Sequence, residues 1–154
     1  MKRFHWYTLG SVLAVGFLGF THVAFGGSNM ETLSGDSHCK LRTLRGHYIY
    51  AFDGLIEGTH NRIPFAEAGH EVYHGDRKVT GWATLSTNGV VERVSYSGTY
   101  TVNPDCSGTT TLTDSDGNTS HYDIFITNDG DKMTFIQTDP GYTTAGFELR
   151  RSRD

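Results

Sequence analysis

The sequence predicts an all-β protein: eight antiparallel strands that follow one another as a meander and close into a small barrel. Two observations predict this class. Turn-forming residues (Gly, Asn, Asp and Pro) recur in clusters from residue 53 onward. The segments between the clusters are rich in Val, Ile, Thr, Tyr and Phe, which favour strands, and none has a helical period. Closing the meander would remove its exposed edges, and a two-sheet β-sandwich is the alternative.

The predicted strands cover residues 44–53, 64–74, 78–87, 90–103, 107–114, 119–127, 131–138 and 142–151. Several alternate between apolar and polar side chains. In the fourth strand, Val94, Tyr96 and Tyr100 share one face, and in the eighth, Phe147 opposes Glu148. We expect the apolar face to point into the barrel in each case. The stretch between the first two strands, residues 55–63, is expected to be the longest irregular connection.

The first 26 residues have the pattern of a signal peptide. Lys2 and Arg3 precede an apolar run at residues 6–20, and the small residues Ala24 and Gly26 form a cleavage site. A membrane anchor is the alternative, but the run is shorter than the ~20 residues that a span requires. We therefore expect a secreted or periplasmic protein with no stable membrane insertion after cleavage. It would have a flexible N-terminus at 27–43 and one barrel domain at 44–154.

Charge and cysteine content indicate which partners and cross-links to expect. Without Lys2 and Arg3, 11 basic residues face 17 acidic ones, so nucleic acid is not an expected partner. Cys39 and Cys106 are the two cysteines, and an even count in an exported chain predicts a disulfide. They form no metal-binding pair, and no motif predicts a metal or a cofactor.

Two residues are candidates for acid–base chemistry. His70 shares a face with Ala68 and Val72, which we expect to be the interior, whereas Glu67 and Glu71 would point outward. The alternative is a rim strand with solvated charges.

The second candidate is Glu92, which shares the face of Val94 and Tyr96. If it points into the barrel, burial should raise its pKa. Its place near the start of a strand makes exposure at the rim the alternative.

An aromatic-rich interior could line a pocket for an apolar or aromatic ligand. The alternative is that these side chains simply fill the core. The candidate ligand-binding residues are Tyr48, Tyr50, Tyr96, Tyr100, Tyr122, Phe135 and Phe147.

Three parts of the sequence resemble a known family. They are Cys39, residues 44–48 (Leu-Arg-Gly-His-Tyr) and residues 98–109, which contain Tyr-Thr-Val-Asn-Pro-Asp-Cys-Ser-Gly-Thr. With residues 138–146, they resemble a group of small secreted bacterial β-barrel proteins that is similar to the allene oxide cyclase-like and calycin-like barrels. The resemblance implies a barrel with a cavity. It implies no reaction, because such barrels host binders, cyclases and scaffolds alike.

Three functions follow as hypotheses. The first is an exported barrel that binds a small apolar or aromatic molecule in its interior. The second is a cofactor-free cyclase, isomerase or lyase that uses His70 or Glu92 as acid or base. The third is a structural envelope protein with a filled barrel. The sequence leaves the oligomeric state open.

Overall fold

The computed structural model describes residues 38–153, which form a closed eight-stranded barrel. Each strand pairs antiparallel with the next, and β8 returns to pair with β1. The predicted barrel is confirmed, and the sandwich alternative is wrong. After a 3₁₀ turn at Leu41–Leu44, the strands are β1 Gly46–Glu57, β2 Arg62–Tyr73, β3 Lys78–Thr87, β4 Val90–Tyr100, β5 Ser107–Asp114, β6 Thr119–Ile126, β7 Lys132–Gln137 and β8 Tyr142–Ser152.

The connection between β1 and β2 is a tight hairpin. The ladder continues through Leu55 opposite Pro64 and Ile56 opposite Ile63. The Gly58 N–H donates to the Asn61 carbonyl at 2.8 Å and closes the turn. The expectation of a long irregular connection at 55–63 is therefore wrong, because backbone pairing extends both strands. Within residues 38–153 the longest connection is 101–106, between β4 and β5.

One end of the barrel is covered by the 3₁₀ turn, and we call it the closed end. The Tyr100 hydroxyl donates to the Leu41 carbonyl at 3.0 Å, and Leu44 is fully buried. The predicted disulfide between Cys39 and Cys106 is confirmed, and it ties this turn to the start of β5. Residues 38–43, expected to be flexible, are thus held against the barrel. The predicted signal peptide lies outside the described residues.

A buried arginine completes the closed end. Arg150 donates to the Tyr48 hydroxyl at 3.0 Å and to Asp131 at 2.6 Å, and it also contacts the Thr43 carbonyl. The Tyr48 hydroxyl in turn donates to the Gly130 carbonyl at 2.6 Å. These bonds satisfy the guanidinium at this end. In the described part of the chain, no helix is long and apolar enough to cross a membrane.

The hydrogen-bonded register decides which face of each strand is interior. On β4 the predicted apolar face points inward, with Tyr96 and Tyr100 buried, and on β6 the apolar face that contains Ile124 also points inward. On β2 and β8 the prediction is wrong and the polar face points inward. Inward Tyr50 of β1 lies opposite Gly69 of β2 and Glu148 of β8, and side chains of directly paired residues share a face.

The outer surface therefore keeps several large apolar side chains. Phe147 is 54% exposed and Trp82 57% exposed. The interior instead receives three glutamates, Glu67, Glu71 and Glu148, among the aromatic rings.

Candidate functional site

Two adjoining spaces occupy the barrel interior. The open end holds a cavity of about 280 Å³, which we call the mouth cavity. Beneath it lies a space of about 20 Å³, which we call the deep chamber, large enough for about one water molecule. Glu67, Leu112 and Tyr122 line both spaces and mark their boundary. The other residues of the deep chamber are Tyr50, Phe52, Glu71, Tyr73, Thr110, Ile124, Phe135 and Glu148.

A chain of hydrogen bonds runs from the boundary into the interior. The Tyr50 hydroxyl donates to Glu67 Oε1 at 2.5 Å. The Tyr96 hydroxyl lies 3.0 Å from the Tyr50 hydroxyl and 3.0 Å from Glu71 Oε1. Two tyrosines thus connect a carboxyl group at the boundary with one deep in the barrel.

Counting protons shows that this chain needs one carboxyl proton. Each tyrosine hydroxyl carries one hydrogen, so two tyrosines donate only two of the three bonds. If Tyr50 donates to Glu67 and Tyr96 donates to Tyr50, the third proton comes from Glu71. If Glu67 holds the third proton, Glu67 donates to Tyr50, Tyr50 to Tyr96 and Tyr96 to Glu71. Burial raises the pKa of both carboxyl groups, so the chain holds one carboxyl proton at one end or the other.

Glu71 and Glu148 form a buried carboxyl pair. Their side chains are 3% and 4% exposed, and burial raises the pKa of both. The negative charge of Glu71 raises the pKa of Glu148 further. Because like charges at short range in a dry interior disfavour double ionisation, we interpret the pair as sharing a proton.

The deep chamber contains three buried oxygen atoms without a hydrogen-bond partner among the protein's own groups. They are Glu71 Oε2, Glu148 Oε2 and Thr110 Oγ1. Thr110 is 3% exposed. The other Glu148 oxygen receives a long bond of 3.4 Å from the Tyr73 hydroxyl. The two carboxyl oxygens are acceptors when ionised, and the Thr110 hydroxyl can both accept and donate. The chamber therefore holds three oxygen atoms that could each accept a bond from an added donor.

Inward-facing glycines make room for the tyrosine hydroxyls. A Cβ atom at Gly81 of β3 would overlap the ring and hydroxyl of Tyr96, and one at Gly69 of β2 would lie 2.8 Å from the Tyr50 hydroxyl. The absence of side chains at these two positions lets the rings cross the barrel. The hydrogen-bond chain therefore depends on two glycines in strand interiors.

The mouth cavity combines aromatic and acidic side chains. Phe65, Tyr96, Tyr122 and Tyr142 contribute to its lining beside Glu67 and Asp114. Burial raises the pKa of Glu67 to about 7, although its bond from Tyr50 acts in the opposite direction. The lining of both spaces contains no lysine, arginine or histidine. The site is thus acidic, and the guanidinium of Arg150 is engaged with Asp131 at the closed end.

The structure distributes the predicted ligand-binding residues over three places. Tyr50, Tyr96, Tyr122 and Phe135 line one or both spaces. Tyr48 and Tyr100 lie in the packed closed end and line neither space. The expectation that Phe147 faces the interior is wrong, because the pairing of β8 with β1 turns it outward.

The two predicted acid–base residues lie away from the interior. His70 stacks on the exposed indole of Trp82, with ring centroids 5.3 Å apart, on the outer face. The prediction that His70 faces the interior is wrong, because Glu71 and Tyr73 occupy the inward face of β2. Glu92 is exposed near the start of β4. The two candidates are not brought together, and neither lines the deep chamber or the mouth cavity.

Sequence reasoning missed Glu67, Glu71 and Glu148 as interior residues. One signal could have found the first two. Glu67, Glu71 and Tyr73 alternate along β2 and so share one face, and that face includes a large aromatic side chain, which favours burial. Among residues 38–153, no three His, Cys, Asp or Glu side chains are grouped as metal ligands.

Comparisons with known proteins bear on the fold alone. No family model and no curated protein matches the chain. The structure is similar to a solved protein from the de novo design of a fluorescence-activating β-barrel, with a TM-score of 0.52 and 11% sequence identity. The alignment covers 72% of this chain and 96% of the designed chain. This likeness supports the barrel architecture independently of the strand register.

Proposed function

We propose that this protein is an exported β-barrel that binds a small molecule with an apolar or aromatic body in its open end. The observation that carries the proposal is the mouth cavity of about 280 Å³, which is lined in part by aromatic rings and shares three lining residues with a polar chamber below. Concave, mainly apolar spaces with a few convergent polar groups are the usual form of small-molecule sites. The designed barrel of similar fold, which is described as fluorescence-activating, is compatible with this use of the architecture.

Export is supported by two independent features. The disulfide between Cys39 and Cys106 suits an oxidising compartment. The N-terminal sequence has the charged, apolar and small-residue regions of a signal peptide. The intact mass of protein recovered from the periplasm or medium tests this, and we expect a chain that begins at about residue 27.

A second candidate function is cofactor-free acid–base catalysis in the same cavity. It is favoured by the boundary position of Glu67, whose pKa of about 7 suits proton transfer near neutral pH. In this version Glu67 takes the role that the sequence suggested for His70 or Glu92. A structural protein with a filled barrel fits the open mouth cavity less well.

Native mass spectrometry of the mature protein, followed by extraction of any retained molecule, is the first test of binding. The second is titration with Nile red, an uncharged dye whose emission reports an apolar site. We expect saturable binding at near one-to-one stoichiometry.

Two tryptophan substitutions locate the dye. Leu112→Trp fills the boundary between the two spaces and should weaken binding at least tenfold. Thr113→Trp adds the same side chain to the adjacent, exposed position of β5 and should leave binding intact. Equal binding by both variants would place the dye on the apolar outer surface and overturn the proposal.

A further inference from the structure

The charged groups that line the barrel interior are all acidic. Glu67, Glu71 and Glu148 are carboxyl groups, and the lining of both spaces lacks a cationic side chain. An anionic ligand would meet like charge in a low-dielectric site, where repulsion is strong. A ligand whose polar end donates hydrogen bonds and carries positive charge would meet opposite charge.

The number and position of the orphan acceptors narrow the choice of donor. Glu71 Oε2, Glu148 Oε2 and Thr110 Oγ1 are three oxygen atoms, each buried, unpartnered and located around the deep chamber. A primary ammonium group has three N–H donors and no acceptor. A hydroxyl group has a single donor, and a quaternary ammonium has none.

The size of the deep chamber also favours a primary ammonium group. About 20 Å³ accommodates one heavy atom with its hydrogens, such as water or an ammonium nitrogen, and excludes a trimethylammonium group. The rest of the molecule must then extend past Glu67 and Leu112 into the mouth cavity. There the rings of Tyr96, Tyr122 and Phe65 provide apolar contacts.

We propose that the ligand of this barrel is a primary amine, with its ammonium group in the deep chamber and its apolar or aromatic body in the mouth cavity. This inference rests on the proposed small-molecule function and adds the chemical class of the ligand. In the empty barrel a proton held between Glu71 and Glu148 meets part of the need for a donor. An entering ammonium group displaces that proton, which is released to solvent, and pairs its own positive charge with the two carboxylates.

A matched set of four probes tests the proposal by isothermal titration calorimetry. The probes are 2-phenylethylamine, 2-phenylethanol, phenylacetate and 2-phenylethyl-trimethylammonium, which share an aromatic body and differ in the polar end. We expect the primary amine to bind at least tenfold more tightly than the alcohol. Phenylacetate and the quaternary ammonium should bind more weakly still.

Isosteric substitutions place the ammonium group. Glu148→Gln and Thr110→Val should each reduce amine affinity at least fivefold and leave 2-phenylethanol within twofold. Both variants replace a buried, incompletely satisfied group, and their thermal unfolding verifies folding before binding is compared. Glu92→Gln, which removes an exposed carboxyl group, is the matched control and should change nothing.

The outcomes separate this inference from the function on which it rests. If amine and alcohol bind equally, or if the quaternary ammonium binds as well as the primary amine, the inference is overturned while Nile red binding still supports a small-molecule site. If Glu148→Gln preserves the amine preference, the ammonium group is not in the deep chamber and the inference is also overturned. If neither Nile red nor any probe binds, both proposals fall.

Discussion

The Tyr50 hydroxyl lies 2.5 Å from Glu67 Oε1, where the mouth cavity meets the deep chamber. Burial raises the pKa of Glu67 to about 7, while this hydrogen bond favours the ionised form and holds the pKa below the value that burial alone would give. Tyr50→Phe should therefore raise the pKa of Glu67 above 7. Carbon-detected NMR titration of the Glu67 carboxyl group measures it. Tyr48→Phe, at the closed end, is the control, and a pKa that falls in Tyr50→Phe would contradict the assignment.

Interior carboxyl groups should make the protein less stable as the pH rises. Glu67, Glu71 and Glu148 all have raised pKa values, so the folded barrel holds their protons more tightly than the unfolded chain does. Their contribution is complete below the unfolded value of about 4.5 and is lost as the pH passes the folded pKa, about 7 for Glu67. We expect the melting temperature to fall between pH 5 and pH 8.

Glu67→Gln should remove part of this pH dependence. Between pH 5 and pH 8 the free energy of unfolding of the variant should fall by roughly 2 to 3 kcal/mol less than that of the wild type, at about 1.4 kcal/mol per pKa unit. Glu92→Gln should not. Exposed carboxylates such as Asp129, whose pKa is lowered by bonds from Asp131 and Thr127, act oppositely and should limit stability at acid pH. A melting temperature that rises from pH 5 to pH 8 would show that the interior glutamates are ionised in the folded state.

Gly81→Ala should destabilise the barrel by about 2 to 3 kcal/mol. Alanine normally suits a strand interior better than glycine, but here its methyl group would overlap both the ring of Tyr96 and the backbone carbonyl of His70, and would force the hydrogen-bond chain apart. Urea denaturation measures the loss. Thr80→Ala, the exposed neighbour on the same strand, should cost less than 1 kcal/mol. Equal midpoints for the two variants would mean that the Tyr96 ring can relocate freely.

Removing the disulfide with Cys39→Ala and Cys106→Ala should cost roughly 2 to 4 kcal/mol, since the bridge spans 67 residues of sequence. The 3₁₀ turn at Leu41–Leu44 would lose its covalent link to β5. We expect a lower urea midpoint that matches the wild-type protein under reducing conditions. A midpoint that reduction leaves unchanged would indicate that the turn is held by Arg150 and Tyr100 alone.

His70→Ala should leave Nile red affinity within twofold of the wild type, because His70 packs on the outer indole of Trp82. Titration of the variant beside Glu67→Gln checks this. A large loss in His70→Ala with no loss in Glu67→Gln would return the site to the residue that the sequence first suggested.

The order of the strands could be predicted because turn signals are local. Asn88-Gly89 illustrates this: both residues have positive φ, 50° and 86°, as a two-residue hairpin requires, and the dipeptide alone indicates it. The disulfide could also be predicted, since it follows from two cysteines in an exported chain. Closure of the barrel followed from the need to cover edges.

The interior could not be predicted, because hydrophobicity and orientation disagree on two strands. On β8, alternation favours Phe147 as the inner residue, yet Glu148 points inward because it pairs with Tyr50 of β1. Register is a property of two strands, and a pattern read along one strand does not contain it. A site built from buried carboxyl groups was therefore assigned to the surface.

The 3₁₀ turn and its disulfide make the barrel a tube sealed at one end. A ligand that enters through the open end must also leave through it. The end of the ligand that enters first is therefore released last, while its other end stays at the rim beside Tyr142. The length of the guest is then unrestricted on the solvent side. A guest longer than the mouth cavity would therefore be held by one terminus, with its remainder outside the barrel.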